Sequence, residues 1–275
     1  MIMKVFIWII IALAALLLAV ILVYFLFLLR PRKVKKVNAS LLCEYAHRGL
    51  HGGGVPENSL LAFELACKAG YGIELDIQLS KDGQVMVFHD FTLERMTGHS
   101  GRVNESDSSE LQLLKLAGTD ETIPTFSQVL NLVAGRVPLL VELKGETFDT
   151  ELCKKAAELL ASYTGPYCIE SFNPLLLRDM GKYLPQSMRG ILYTNVCREK
   201  QKYDIIHIGL TLMAFNFLAK PAFIAFDKKD RNSLPVKITT GLYKAPKFVW
   251  TVKTNNELDS ARGYNEYSIF EKEDI

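Results

Sequence analysis

The chain has 275 residues, with 32 Lys and Arg against 30 Asp and Glu and a formal net charge of +2. A basic cluster at residues 30–36 nearly accounts for that charge, so the remainder is close to neutral and lacks the footprint of a nucleic-acid binder. Cys43, Cys67, Cys153, Cys168 and Cys197 are odd in number and without framework spacing, which argues against a disulfide scaffold and fits a reducing compartment.

Residues 5–29 are twenty-five in a row without a charge. As a helix they reach roughly 37 Å, enough to cross a hydrocarbon core of about 30 Å with some tilt. The run ends in Leu28-Leu29-Arg30-Pro31 rather than at a small-residue cleavage site, so the spacing predicts an uncleaved transmembrane helix over 1–30. A buried core helix is a weaker reading, because such helices rarely stay apolar on every face for so long. Arg30, Arg32, Lys33, Lys35 and Lys36 follow it, against Lys4 before it, which places the domain beyond in the cytoplasm by the positive-inside rule. Residues 31–40 read as a basic juxtamembrane linker able to lie near anionic headgroups.

About 235 residues remain, with no low-complexity divider, and read as one domain over 41–275. Residues 42–47 read as a strand, 59–69 as a helix closed by Gly70, and 72–79 as a strand again. Lys81-Asp82-Gly83 is a hairpin-type turn leading to a strand at 85–88. The polar stretch at 97–110 reads as part of an insertion. Further strands are expected at 138–143, 167–172, 189–193, 223–226, 248–252 and 267–270, with helices between most of them. Repeated strand-then-helix units argue a parallel sheet covered by helices, and seven or eight of them suggest a closed α/β barrel.

Side chains alternate along a strand, so in Ile73-Glu74-Leu75-Asp76-Ile77 the two carboxylates share one face. In a barrel that face points inward, where the acids would repel unless a cation sat between them. The same period puts Glu142 and Lys144 together. Taken singly, each pair reads equally well as an internal salt bridge. Three such features on successive strands point instead to a site at the C-terminal rim, and oxygen-only ligands favour Ca²⁺ or Mg²⁺ over Zn²⁺. His47 and His89 each close a strand and suggest an acid and base pair. His51 and His99 sit in loops and receive no role, while His207 reads as a core or interface histidine. A zinc site on Cys43, His47 and His51 is disfavoured, because Gly49 and Gly52-Gly53-Gly54 break the helix it would need.

His47-Arg48-Gly49, Pro56-Glu57-Asn58, Glu74-Leu75-Asp76, His89-Asp90, Glu142-Leu143-Lys144, Ser171-Phe172-Asn173 and Trp250-Thr251-Val252 together resemble the ordered motif set of glycerophosphodiester phosphodiesterases. The likeness runs from about Tyr45 to Glu271. It implies a TIM (β/α)8 barrel with a small insertion at about 91–122. It also implies a divalent cation on Glu74, Asp76 and Glu142, with His47 and His89 as general acid and base. Arg48 and Lys144 would hold the phosphate oxygens, and Trp250 would wall the alcohol. The last strand departs from the family pattern, and Glu170 is read either as lining the barrel or as part of a buried ion pair.

The implied reaction is metal-dependent hydrolysis of glycerophosphodiesters to glycerol 3-phosphate and an alcohol. An alternative is a lysophospholipase D acting on membrane lysophospholipids, and a third reading is a membrane-anchored scaffold. The expected partners are that substrate and the lipid bilayer, with no nucleic acid. Residues 205–219 bear on the choice. They are predicted to form a buried barrel helix; if exposed, with Phe215 and Phe217 toward lipid, they would bring the barrel mouth to the bilayer and favour lysophospholipids.

Overall fold

The computed structural model describes residues 2–33, 37–145 and 150–271. Of the basic cluster, Lys35 and Lys36 lie outside the described residues. A helix over Ile2–Val23 continues through a wider turn at Tyr24–Leu28. Within Met3–Leu28 an 18-residue window has mean hydropathy 3.3 and none of it is buried, so the stretch is long and apolar enough to cross a membrane. Its neighbour Leu29 is instead sealed in the domain core. The apolar run thus ends inside the domain rather than in a free linker. Arg32, too, is tied down, donating to the carbonyls of Pro185 and Ser187 at 2.9 and 2.8 Å.

Among the described residues nine strands follow: β1 Tyr45–Ala46, β2 Gly72–Leu79, β3 Val85–Val87, β4 Leu139–Leu143, β5 Tyr167–Ser171, β6 Met188–Tyr193, β7 Phe223–Asp227, β8 Lys247–Val252 and β9 Tyr267–Phe270. Eight of them run parallel in the order β1-β2-β4-β5-β6-β7-β8-β9, and the β9–β1 pairing closes the ring. This is the expected TIM barrel. The remaining strand, β3, pairs antiparallel with β2 as the outer arm of the hairpin.

Strand alternation divides the core in two. Ile73, Leu75, Ile77, Val141 and Leu143 belong to the layer between strands and helices, whereas Tyr45, Leu140, Cys168, Phe223 and Phe248 belong to a second cluster. At Gly190 a Cβ would lie 2.0 Å from the Phe223 ring, so only glycine leaves room for that phenylalanine. A third cluster joins Met86 and Phe88 to Leu93, Met96, Val103, Leu111 and Leu116, giving residues 91–122 apolar packing of their own.

Local signals explain much of the layout. The helix Leu60–Ala69 starts where Ser59 Oγ accepts from Ala62 N and stops at Gly70, which takes φ 76°. The first strand is shorter than the predicted 42–47, because a 3₁₀ turn at Ala39–Leu41 curls the chain before it. A larger correction concerns residues 205–219. They form two short helices, Ile205–Thr211 and Asn216–Ala219, and the first is not buried: Ile205 is 82% and Ile206 60% exposed.

Candidate active site

Past β1 the chain turns sharply through Arg48 at φ 55° and Gly49 at φ 82°. A Cβ on Gly49 would come within 2.8 Å of Ala62 Cβ, so the turn needs glycine for both its conformation and its space. This turn swings the Arg48 amide onto Glu74, whose Oε2 accepts from it at 2.9 Å.

Strand register assembles the acids. Asp76 on β2 lies opposite Glu142 on β4, and Glu142 lies opposite Glu170 on β5, so three neighbouring strands carry a carboxylate at one level. Glu74, Asp76 and Glu142 are all buried, and each offers an oxygen within 4.8 Å of the other two. Asp76 Oδ2 accepts from Asn58 Nδ2 at 2.9 Å and stands 3.6 Å from Arg48 Nε. Lys144 Nζ reaches Glu142 Oε1 at 3.2 Å and Asp76 Oδ1 at 3.4 Å.

This cluster is short of positive charge. Burial, reinforced by Asp76, Glu142 and Glu170, pushes the Glu74 carboxyl well above the usual carboxylate range. Burial likewise pushes Glu142 up to about 7, against the pull of Lys144. Asp76 alone is held below its ordinary value, because Lys144, His89 and Arg48 outweigh the penalty of burial. Asp76 Oδ1 is buried and accepts no hydrogen bond. A buried all-oxygen donor set with an unused lone pair and surplus negative charge fits a hard divalent cation. Glu170 adds to that surplus: its Oε2 is buried without a hydrogen bond, and the described residues give it no ion-pair partner. Of its two predicted readings, lining the barrel is the one observed.

Both histidines stand at this rim. His47 Nδ1–H donates to Glu271 Oε1 at 2.7 Å, which leaves Nε2 bare at 3.9 Å from Glu74 Oε2. His89 arrives from the antiparallel strand β3, where Phe88 N donates to the Asp76 carbonyl. Its Nδ1–H donates to Asp90 Oδ1 at 2.6 Å. Burial lowers both imidazoles below their ordinary range; Glu271 opposes this at His47, and Asp76 and Asp90 oppose it at His89. Asp90 is in turn bound by Arg95, Arg95 by Glu57 at 2.6 Å, and Glu57 by Arg48 at 2.9 Å. A continuous chain of charge-assisted bonds thus joins the two sides of the site.

All eight residues singled out from sequence meet at this rim: His47, Arg48, Glu74, Asp76, Glu142, Lys144 and His89 through the contacts above, and Trp250 in the wall of a hollow of about 120 Å³ that all of them but Asp76 line. Trp250 packs edge-on against Phe172, ring centroids 5.7 Å apart. Sequence reasoning gave no role to Glu271, Asn58, Asp90 or Arg95. Asn58 and Asp90 lie inside the motifs Pro56-Glu57-Asn58 and His89-Asp90, which is the signal the sequence offers for them. His207 is no core residue; it sits on the exposed helix with Nδ1 bonded to Asp204 at 2.7 Å.

A family model described as the glycerophosphoryl diester phosphodiesterase family matches residues 47–269. A glycerophosphodiester phosphodiesterase of Caldanaerobacter subterraneus subsp. tengcongensis is 31% identical over 227 residues, covering 78% of this chain and 87% of that protein. Among solved structures, an Oleispira antarctica phosphodiesterase in complex with the product sn-glycerol-3-phosphate superposes with a TM-score of 0.69 at 23% identity, over 83% of this chain and 92% of that one. The Thermotoga maritima glycerophosphodiester phosphodiesterase gives a TM-score of 0.65 at 25% identity, over 83% and 94%.

Proposed function

Since the chain belongs to the glycerophosphoryl diester phosphodiesterase family, we propose that it hydrolyses glycerophosphodiesters to glycerol 3-phosphate and an alcohol in a cation-dependent reaction. The observation that carries the metal and the acid-base roles is the convergence of three buried carboxylates within 4.8 Å beside two imidazoles, each fixed through Nδ1 by a carboxylate. Glu74, Asp76 and Glu142 would hold Ca²⁺ or Mg²⁺. Such an ion would supply positive charge against the equatorial phosphate oxygens.

The chain's own residues supply the rest. Arg48 and Lys144, already drawn to the acids, flank the hollow and neutralise charge building on the phosphate. Because Glu271 and Asp90 occupy the Nδ1 protons, the Nε2 atoms of His47 and His89 are left to work on substrate. One imidazole takes the proton of the attacking hydroxyl, and the other returns one to the departing alkoxide. In a glycerol diester the neighbouring hydroxyl can itself attack, giving a cyclic phosphate that water opens. Trp250 and Phe172 wall the alcohol side.

The apolar helix Met3–Leu28 supports a single-pass membrane anchor, and the excess of Arg and Lys after it supports a cytoplasmic catalytic domain. Incubating the full chain with glycerophosphocholine and Mg²⁺ or Ca²⁺ should release glycerol 3-phosphate and choline. Cleavage yielding glycerol and phosphocholine, or no cleavage of any glycerophosphodiester with either ion, would refute the reading.

A further inference from the structure

Beside the 120 Å³ hollow lies a far larger cavity of about 1020 Å³. The two share Glu142, Lys144, Phe172, Leu192 and Trp250, so they adjoin across these side chains. A glycerol phosphate does not need it: about 300–1000 Å³ already suits a drug-sized ligand. Away from the shared residues its wall carries Ile191, Val196, Leu210, Met213, Phe215 and Leu218, with Glu199, Lys200 and His207 beside them. That apolar stretch suits an apolar chain, and the charged residues beside it suit a polar end.

The same wall is where the N-terminal helix meets the domain. Tyr24 donates its hydroxyl proton to the Leu212 carbonyl at 2.8 Å, Phe27 stacks on Phe217 with centroids 5.6 Å apart, and Asn216 Nδ2 donates to the Leu29 carbonyl at 2.9 Å. On the far side of the junction, the Tyr243 hydroxyl bonds to the Phe25 carbonyl. The end of the apolar helix is therefore seated on the segment that lines the cavity. That segment presents Ile205, Ile206, Ile208 and Leu212 to the outside, and Leu242 is exposed beside Tyr243. Lys200, Lys202 and the exposed Tyr203 precede it. Large apolar residues with an aromatic and lysines beside them are the make-up of an element lying in a headgroup layer.

Resting on the reading of the protein as a membrane-anchored phosphodiesterase, we propose that the large cavity receives the acyl chain of a single-chain phospholipid entering sideways from the bilayer, past the helix Ile205–Thr211. The phosphodiester then sits in the hollow at Glu142, Lys144 and Trp250. Cleavage is hydrolytic: a new P–O bond forms to the oxygen of water, the P–O bond to the headgroup alcohol breaks, and the proton ends on that alcohol. The lipid product is the acylglycerol phosphate. Lipid entry thus widens the substrate class without altering the chemistry.

The test uses the full chain in nanodiscs containing phosphatidylglycerol, with lysophosphatidylcholine and glycerophosphocholine compared as substrates. Lysophosphatidylcholine should give the higher kcat/KM. Leu210→Trp, which fills the cavity away from the acids, should lower kcat/KM on the lipid about tenfold or more while leaving glycerophosphocholine turnover within about twofold. Ile205→Asp, on the exposed face, should slow lipid turnover in nanodiscs and leave glycerophosphocholine unaffected. Equal losses on both substrates, or glycerophosphocholine cleaved while the lipid is not, would overturn the acyl-chain proposal and leave the phosphodiesterase reading intact. Failure to cleave either diester would instead defeat that underlying reading. A dimer broken by Ile205→Asp with lipid turnover unchanged would assign the exposed face to a second copy of the chain and also overturn the proposal.

Discussion

His47 Nδ1 lies 2.7 Å from Glu271 Oε1, joining the first strand's end to the last. Glu271 also meets Lys253 Nζ at 2.6 Å, and His47 first, then Lys253, hold its carboxyl far below the usual range. The ionised carboxylate fixes the ring tautomer and raises the basicity of Nε2. Glu271→Gln keeps an acceptor for Nδ1–H and removes the charge. We expect kcat to fall about tenfold with little change in KM. The acid limb of the kcat/KM profile should move to lower pH, since His47 loses an anion that favours its protonated form. A profile unmoved in position would deny Glu271 this positioning role.

Removing either imidazole should be more costly. His47→Ala and His89→Ala should each lower kcat about a hundredfold or more, the usual contribution of a general acid or base. Steady-state assays of the purified full-length variants check this. Turnover near that of the parent in either one would strike that residue from the acid-base pair.

Stability of the metal-stripped protein should fall as pH rises through neutrality. Glu142 has its folded-state pKa raised to about 7 from an ordinary 4.5, chiefly by burial. Between those values the folded chain binds more protons than the unfolded one, so the stabilisation is complete at low pH and is lost as pH passes about 7. Thermal unfolding in chelator should therefore show a lower Tm at pH 8 than at pH 6 (about neutral ± one unit), and added divalent cation should restore it. A Tm independent of cation across this range would count against the acidic cluster as a metal site.

The turn that delivers Arg48 to Glu74 depends on Gly49. Gly49→Ala combines a positive φ with a Cβ 2.8 Å from Ala62. A loss of about 2 kcal/mol or more is expected, read as a lowered denaturation midpoint, because packed backbone cannot give way cheaply. A midpoint matching the parent would show that the turn relaxes.

Much of this architecture was legible because its signals are local. The strand Gly72–Leu79 follows from its period-2 pattern, and the helix Leu60–Ala69 from Ser59 and Gly70 at its ends. The acid cluster was legible for the same reason: alternation alone sets Glu74 and Asp76 on one face. What stayed hidden is set by distant partners. Glu271 reaches His47 across 224 positions, from a strand whose sequence departs from the family pattern. The segment 205–219 was misjudged because an apolar helix has the same pattern whether protein or another apolar phase covers it. Its packing against the end of the apolar helix emerges only when Tyr24 and Phe27 are seen seated on it.

On the proposed reading, Glu74, Asp76 and Glu142 together hold one divalent cation on which phosphodiester hydrolysis depends. The most direct measurement is the rate of glycerol 3-phosphate release from glycerophosphocholine by chelator-stripped full chain as Ca²⁺ or Mg²⁺ is added back, with Asp76→Asn alongside. Almost no release is expected from the stripped protein, with saturable recovery on adding ion and no recovery in the variant. An undiminished rate after stripping, or an Asp76→Asn protein that recovers as fully as the parent, would contradict it.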